Sequence, residues 1–92
     1  MDNALASLTP QQRETITDME RRYNCGHIPV KLTRVVRNEH GQTRVAYRMW
    51  HQGRYHEEST IIIYMGGETG YGGSVDAMGQ VETLYEWPEE ES

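Results

Sequence analysis

The first part of the chain carries its few apolar residues at helical spacing. Thr9 is a good N-cap residue, Pro10 suits the first helical position, and Gln12 stands where a capping box has Glu or Gln. A narrow stripe follows at intervals of three or four residues: Gln12, Ile16, Met19 and Tyr23. The pattern predicts a helix over about residues 10–24 that ends near Gly26 and packs on another element, because so narrow a stripe does not stabilise an isolated helix.

After the helix the period of the pattern changes to two. Alternating apolar and polar residues predict strands over about residues 28–37, 43–51 and 54–65. The turns are Asn38 to Gln42 and Gln52-Gly53, of which the second is a candidate for a tight hairpin turn. One face of the second strand is expected to meet the helix: Val45, Tyr47 and Met49.

The segment from Ser74 to Trp87 fits either a helix or a strand. A helix would contain Gly79, which costs about 1 kcal/mol relative to alanine. Residues 81–87 alternate well and place β-favouring side chains on one side. A fourth strand over residues 81–87 is therefore the preferred prediction, with an acidic tail over residues 88–92.

These patterns define an α+β fold in a single small domain, residues 1–92. The N-terminal helix is predicted to pack on an antiparallel β-meander of three to four strands. The expected core comprises Ile16, Met19, Ile28, Val30, Leu32, Val45, Tyr47, Ile61 and Ile63.

Residues 66–73 hold five glycines in eight positions and raise the question of a phosphate-binding loop. A P-loop needs a lysine that reaches the phosphates, but the chain has no lysine after Lys31, and Glu68 would repel an anion. The dinucleotide-binding pattern fails as well, since no βαβ unit surrounds the glycines. The prediction is a flexible, mobile Gly-rich loop over 66–73 that binds no nucleotide.

Charge is distributed unevenly along the chain, whose net charge is −5. Residues 27–56 carry six of the nine basic residues and one acid, whereas residues 57–92 carry nine acids and no Lys or Arg. The acids of the last third could pair with the central arginines across strands, or present a negative surface to a basic partner.

The features that would place the protein in a compartment are few. Cys25 is the only cysteine, so no intramolecular disulfide can form, as in proteins of a reducing compartment. The longest apolar run has five residues, and the N-terminus lacks the pattern of a signal peptide. We expect a cytoplasmic protein without membrane contact.

Side chains capable of chemistry do not form a recognisable set. Cys25 and His27 lack a third member for nucleophilic catalysis, and one Cys with scattered His does not match a zinc motif. His51 and His56 flank the tight turn and are interpreted as exposed strand residues. The sequence therefore predicts no catalytic residues, no metal site and no cofactor, in a protein that is not an enzyme.

Two hypotheses of binding function remain. In size, acidity and lack of chemistry, the chain resembles as a class the small phage and mobile-element proteins that inhibit host nucleic-acid-processing or defence machinery. The first hypothesis is accordingly a stoichiometric interaction protein with Trp50 as its anchor. Its predicted partner-binding residues are Arg44, Arg48, Trp50, Tyr55, Glu57, Glu58 and Tyr71.

The alternative is a nucleic-acid-binding module that uses the basic outer face of the sheet. That face would comprise Lys31, Arg37, Arg44, Arg48 and Arg54.

Overall fold

The computed structural model describes residues 6–23 and 30–88. Its elements are α1 (Pro10–Tyr23), β1 (Val30–Asn38), β2 (Thr43–His51), β3 (Arg54–Tyr55), β4 (Ser59–Ile63), β5 (Thr69–Ser74), a 3-10 helix (Val75–Met78) and β6 (Val81–Glu86). The prediction of an α+β fold, with one N-terminal helix on an antiparallel sheet, is confirmed. The predicted strand number is wrong, because the described residues form six strands rather than three to four.

The strands run in the order β5-β4-β2-β1-β6, and β3 pairs with the far end of β2. All of these pairings are antiparallel. The predicted third strand is divided, since residues 56–58 leave the ladder between β3 and β4. The segment after β5 must then cross the whole sheet to reach β6 at the opposite edge, so the fold is more than a simple meander.

The start of α1 has the capping box that the sequence predicts. The Thr9 hydroxyl accepts a hydrogen bond from the Gln12 backbone N–H at 3.1 Å, and the Gln12 side chain accepts one from the Thr9 N–H at 3.0 Å. Gln12 is 5% exposed and also donates from Nε2 to the Ile63 carbonyl at 2.9 Å. One side chain therefore caps the helix and ties it to the end of β4.

The core lies between α1 and one face of the sheet. Its buried members are Leu8, Ile16, Met19, Leu32, Val35, Val45, Ile63, Leu84 and Trp87. Three residues predicted to be core are only partly buried, namely Val30, Tyr47 and Ile61, and Ile28 lies outside the described residues. Trp87 is buried just beyond β6 and donates from Nε1 to the Glu20 carboxylate at 2.5 Å.

The Gly-rich segment is an edge strand, so the prediction of a flexible loop over residues 66–73 is wrong for most of its length. β5 pairs with β4, and the pairing shifts register between Thr60 and Ile61, which leaves Gly72 as an extra residue in the bulge. The Arg44 guanidinium donates to the Gly72 carbonyl and, at 3.2 Å, to the Thr60 hydroxyl. A Cβ on Gly72 would overlap that hydroxyl. The glycine is therefore needed for space in an ordered strand.

The face of the sheet opposite α1, here called the outer face, is not open along its whole length. Val36, Ala46 and Thr60 lie on it by register, yet each is fully buried. The 3-10 helix that follows β5 lies beside this face, because Val75 and Asp76 line one concavity together with Arg34 and Arg48. The end of the outer face nearest the β2–β3 turn is exposed at Arg48, Trp50 and Tyr55.

Within residues 6–23 and 30–88 there is no helix with the length and apolar character needed to cross a membrane.

Candidate interaction surface

A tight hairpin connects β2 to β3 and projects two aromatic residues. Gln52 and Gly53 have φ values of 52° and 84°, and two consecutive positive φ angles are those of a type I′ turn. The predicted tight turn is thus confirmed. It places Trp50 opposite Tyr55, with ring centroids 4.9 Å apart in an edge-to-face arrangement. Both rings stay substantially exposed, at 46% for Trp50 and 43% for Tyr55.

Two cations lie beside these rings on the outer face. Lys31 is the direct cross-strand neighbour of Arg48, and the Lys31 ammonium is 5.8 Å from the centre of the Tyr55 ring. Arg48 shares a face with Trp50, because the two residues are two positions apart in β2. We call the set Lys31, Arg48, Trp50 and Tyr55 the hairpin surface.

A partly buried ion pair lies next to the hairpin surface. Arg34 donates from Nε and Nη2 to the two oxygens of Glu58, each at 3.1 Å, and the Thr33 hydroxyl donates to Glu58 at 2.6 Å. Burial alone would raise the pKa of Glu58. The hydrogen bonds from Thr33 and Arg34 and the charges of Arg34 and Arg48 outweigh burial, so the pKa of Glu58 is lowered. Glu58 is therefore an ionised residue that connects residues 56–58, between β3 and β4, to Thr33 and Arg34 of β1.

Two concavities flank Arg48. The first, of about 370 Å³, lies between the hairpin surface and the end of β6 and is lined by Lys31, Arg48, Tyr55, Glu86 and Trp87 among others. The second, of about 600 Å³, lies toward the 3-10 helix and includes three acids in its lining, Glu57, Glu58 and Asp76, with Arg54 at its rim. The surroundings of the hairpin therefore combine both signs of charge with exposed aromatic area.

The structure places several predicted site residues away from the hairpin surface. Arg44 is half-buried, and its guanidinium donates to Gln42, Thr60 and Gly72 within the fold. Arg37 faces the helix side and donates to the Ser7 hydroxyl at 2.9 Å, which removes it from the predicted nucleic-acid face. Tyr71 is 82% exposed but belongs to the edge strand β5. The residues predicted for partner binding and for nucleic-acid binding therefore lie on both faces of the sheet and at both of its ends.

Glu57 and Glu58 are neighbours with different environments. Glu57 is exposed and lines the second concavity, where it is available to a partner. Glu58 is half-buried in the pair with Arg34, so both of its oxygens already accept hydrogen bonds within the fold. Arg34 itself was not among the predicted site residues, because its partner lies 24 positions away in an irregular segment that has no period in the sequence.

The interpretation of the two histidines beside the turn as exposed strand residues holds for His51 in β2, but His56 is partly buried and lies outside the strands. The ring centroids of His51 and His56 are 5.6 Å apart. No group of three or more metal-ligating side chains occurs in the part of the chain that the structure describes. Cys25 and His27 lie outside that part.

Of the acids in the last third, Glu58 forms a close ion pair with Arg34, whereas Glu82 and Glu86 of β6 stand opposite arginines without one. Glu86 is the cross-strand neighbour of Arg34, and Glu82 is that of Arg37. Over residues 6–23 and 30–88, none of the salt bridges joins β6 to β1. The predicted pairing of these acids with central arginines is therefore a direct contact at Glu58 and only a cross-strand position at Glu82 and Glu86. The acids of the tail, Glu89 to Glu91, are outside the described residues.

No known protein family, curated protein or solved structure matches the chain.

Proposed function

We propose that this protein works by binding another protein stoichiometrically and without catalysis, through the hairpin surface. The observation that carries the proposal is the exposed edge-to-face pair of Trp50 and Tyr55 beside Arg48. Trp, Tyr and Arg are the residues most enriched at interface hot spots, because each buries a large area and retains a polar group.

The hairpin holds these rings in place before any partner arrives. Trp50 is restrained by Tyr55, and Tyr55 by the Lys31 ammonium. A type I′ turn is a stiff connection, so little conformational entropy remains to be lost on association. Preorganised aromatic area of this kind favours affinity more than an equal area on a mobile loop.

The charges around the hairpin favour a protein partner over a nucleic acid. Two of the five cations proposed for a nucleic-acid face, Arg37 and Arg44, are engaged elsewhere in the fold. Acidic side chains line both concavities together with cations, so neither concavity is a uniformly basic surface of the kind that favours a phosphate backbone. Protein interfaces commonly combine aromatic residues with charges of both signs.

Nucleic-acid binding is the second candidate, because Lys31 and Arg48 lie beside exposed rings on which a base could stack. A gel shift with single-stranded DNA at two salt concentrations separates the candidates. Tight binding with a steep inverse dependence on salt would favour the nucleic-acid module and contradict our proposal.

Affinity capture tests the proposal directly. Immobilised full-length protein is incubated with nuclease-treated host lysate, and retained proteins are identified by mass spectrometry. Trp50→Ala should weaken capture of a specific partner by about 2 kcal/mol, roughly thirtyfold in Kd, with the fold intact. Tyr71→Ala is the matched control, because it removes an even more exposed aromatic residue from β5. Equal losses in both variants would contradict a site on the hairpin.

The predicted class of target, host nucleic-acid-processing or defence machinery, belongs to the same proposal. Its support is the likeness in size and charge, so it is tested by function. Stoichiometric protein should inhibit the captured enzyme, and Trp50→Ala should relieve that inhibition. Multiple turnover of a substrate by catalytic amounts of the protein would end the binding hypothesis.

A further inference from the structure

Lys31 and Arg48 stand directly opposite each other on neighbouring strands, although both are cations. Like charges in that position destabilise an antiparallel sheet. Within the described ranges, neither residue forms a salt bridge. Among residues 6–23 and 30–88, the pair therefore has no counter-ion within salt-bridge distance that would relieve its repulsion.

The acids nearby do not supply that counter-ion. Both oxygens of Glu58 accept hydrogen bonds from Arg34, and one also accepts from Thr33. These bonds hold the carboxylate in place, so it does not move to form a salt bridge with Lys31 or Arg48. Burial raises the pKa of Glu58, and the hydrogen bonds from Thr33 and Arg34 and the charge of Arg34 lower it. The charge of Arg48 lowers this pKa further, so Glu58 and Arg48 interact electrostatically. Glu86 lines the same concavity but stands opposite Arg34 in the sheet.

The space beside the pair suits one small anionic group on a larger partner. The concavity has a volume of about 370 Å³, and the Tyr55 ring and Trp87 contribute an apolar part of its wall. A carboxylate side chain could enter between Lys31 and Arg48 while its neighbours pack on Trp50 and Tyr55. A nucleic-acid strand would instead bring several phosphates toward Glu57 and Glu86 as well.

We propose that Lys31 and Arg48 form a binding site for a carboxylate of the protein partner, supplied by an acidic segment that lies across the hairpin surface. The inference rests on the proposed function and adds the chemistry of the partner. Charge-assisted hydrogen bonds from a lysine and an arginine would then replace repulsion between them.

A double-mutant cycle tests the repulsion without any ligand. The free energy of unfolding is measured for the wild type, Lys31→Gln, Arg48→Gln and the double variant at low and high salt. The coupling between the two residues should be repulsive and should shrink as salt is raised, because salt screens the interaction between charges. The cycle cancels the separate interactions of Lys31 with the Tyr55 ring and of the Arg48 charge with Glu58. A favourable or zero coupling at low salt would overturn the premise.

The second test uses an acetylated hexaglutamate peptide, followed by amide chemical shifts. Saturable binding should shift residues around Lys31 and Arg48, and either glutamine variant should weaken it about tenfold. Arg37→Gln removes a cation from the other face of β1 and should leave the affinity unchanged. Absence of binding, an equal loss in the Arg37 variant, or tighter binding of a twelve-nucleotide oligo-dT at the same ionic strength would each refute the site.

Capture experiments keep this inference separate from the proposed function. If Trp50→Ala abolishes capture of a partner but Lys31→Gln and Arg48→Gln capture it normally, the binding function stands and the carboxylate site is refuted. If the hexaglutamate peptide binds at the pair but no partner is captured by the wild type, the anion site stands and the proposed function fails.

Discussion

Replacing Gly72 with alanine should destabilise the protein through lack of space alone. Gly72 has no positive φ, so alanine can adopt its backbone conformation. The new methyl group would overlap the Thr60 hydroxyl and would lie 3.0 Å from the Thr60 carbonyl and 3.2 Å from an Arg44 nitrogen. Thr60 is fully buried and cannot move aside without loss of its 2.8 Å bond to the Gly73 carbonyl.

The magnitude follows from overpacking and from the polar groups left without partners. Forcing a methyl group into a packed site costs about 1–3 kcal/mol, and a buried polar group that loses its hydrogen bond costs a similar amount. We expect the free energy of unfolding to fall by about 2–4 kcal/mol, measured by urea denaturation followed by circular dichroism. That loss is large against the roughly 5–15 kcal/mol of a typical domain.

The neighbouring glycine provides the control. Gly73 has φ of 78°, and no atom lies within 4 Å of the position that a Cβ would take there. Gly73→Ala therefore introduces backbone strain without overlap, about 1–2 kcal/mol. If the segment were a flexible loop, Gly72→Ala would be neutral or would stabilise the fold by about 0.4–1 kcal/mol. Such a result, or a cost below that of Gly73→Ala, would refute the ordered edge strand.

Three further changes probe the other contacts that hold the fold. Gln12→Ala removes the capping box and the bond to the Ile63 carbonyl, and should lower the free energy of unfolding by about 1–3 kcal/mol in urea denaturation. Folding lowers the pKa of Glu58, so the ionised carboxylate stabilises the folded state at pH values above its pKa in the unfolded chain, about 4.3. This stabilisation is lost as the pH falls through the lower pKa of the folded state. Glu58→Gln should flatten that part of a stability–pH curve; an unchanged curve would contradict the assignment. Trp87→Phe removes the donor to Glu20 and should lower the free energy of unfolding by about 1–3 kcal/mol. Hydrogen exchange of the α1 amides should then be faster, whereas an unchanged exchange rate would mean that this bond does not stabilise the fold.

The sequence was informative wherever a local rule decides the structure. The capping box of Thr9 and Gln12, the Gln52-Gly53 turn and the alternation in β2 each depend on residues close together in the chain, and each prediction agrees with the structure. The choice of a strand over residues 81–87 also agrees, since β6 spans Val81–Glu86. In that segment Gly79 has φ of 77° and lies just before the strand, where it would have disrupted a continuous helix.

The errors arose where a distant contact overrides the local pattern. A run of glycines has no hydrophobic period, and nothing near β5 in the chain indicates that Arg44 and Thr60 hold its carbonyls. The residues of the predicted basic face have different surroundings in the structure for a related reason. Alternation shows that Arg44 and Arg48 share a face, but only the three-dimensional arrangement shows which of them has acceptors within reach.

The position of a residue along β2 therefore determines what its charge can do. From Arg44 to Tyr47 the strand lies between β1 and β4, and the Arg44 guanidinium finds carbonyl and hydroxyl acceptors across the sheet. Beyond Tyr47 the ladder with β4 stops, and the strand continues into the hairpin with β3. Arg48 is thus on the same face as Arg44 but past the point where neighbouring strands offer acceptors. The exposed pair of Trp50 and Tyr55 follows within the same hairpin. An incoming partner could therefore contact these rings and the charge of Arg48 together.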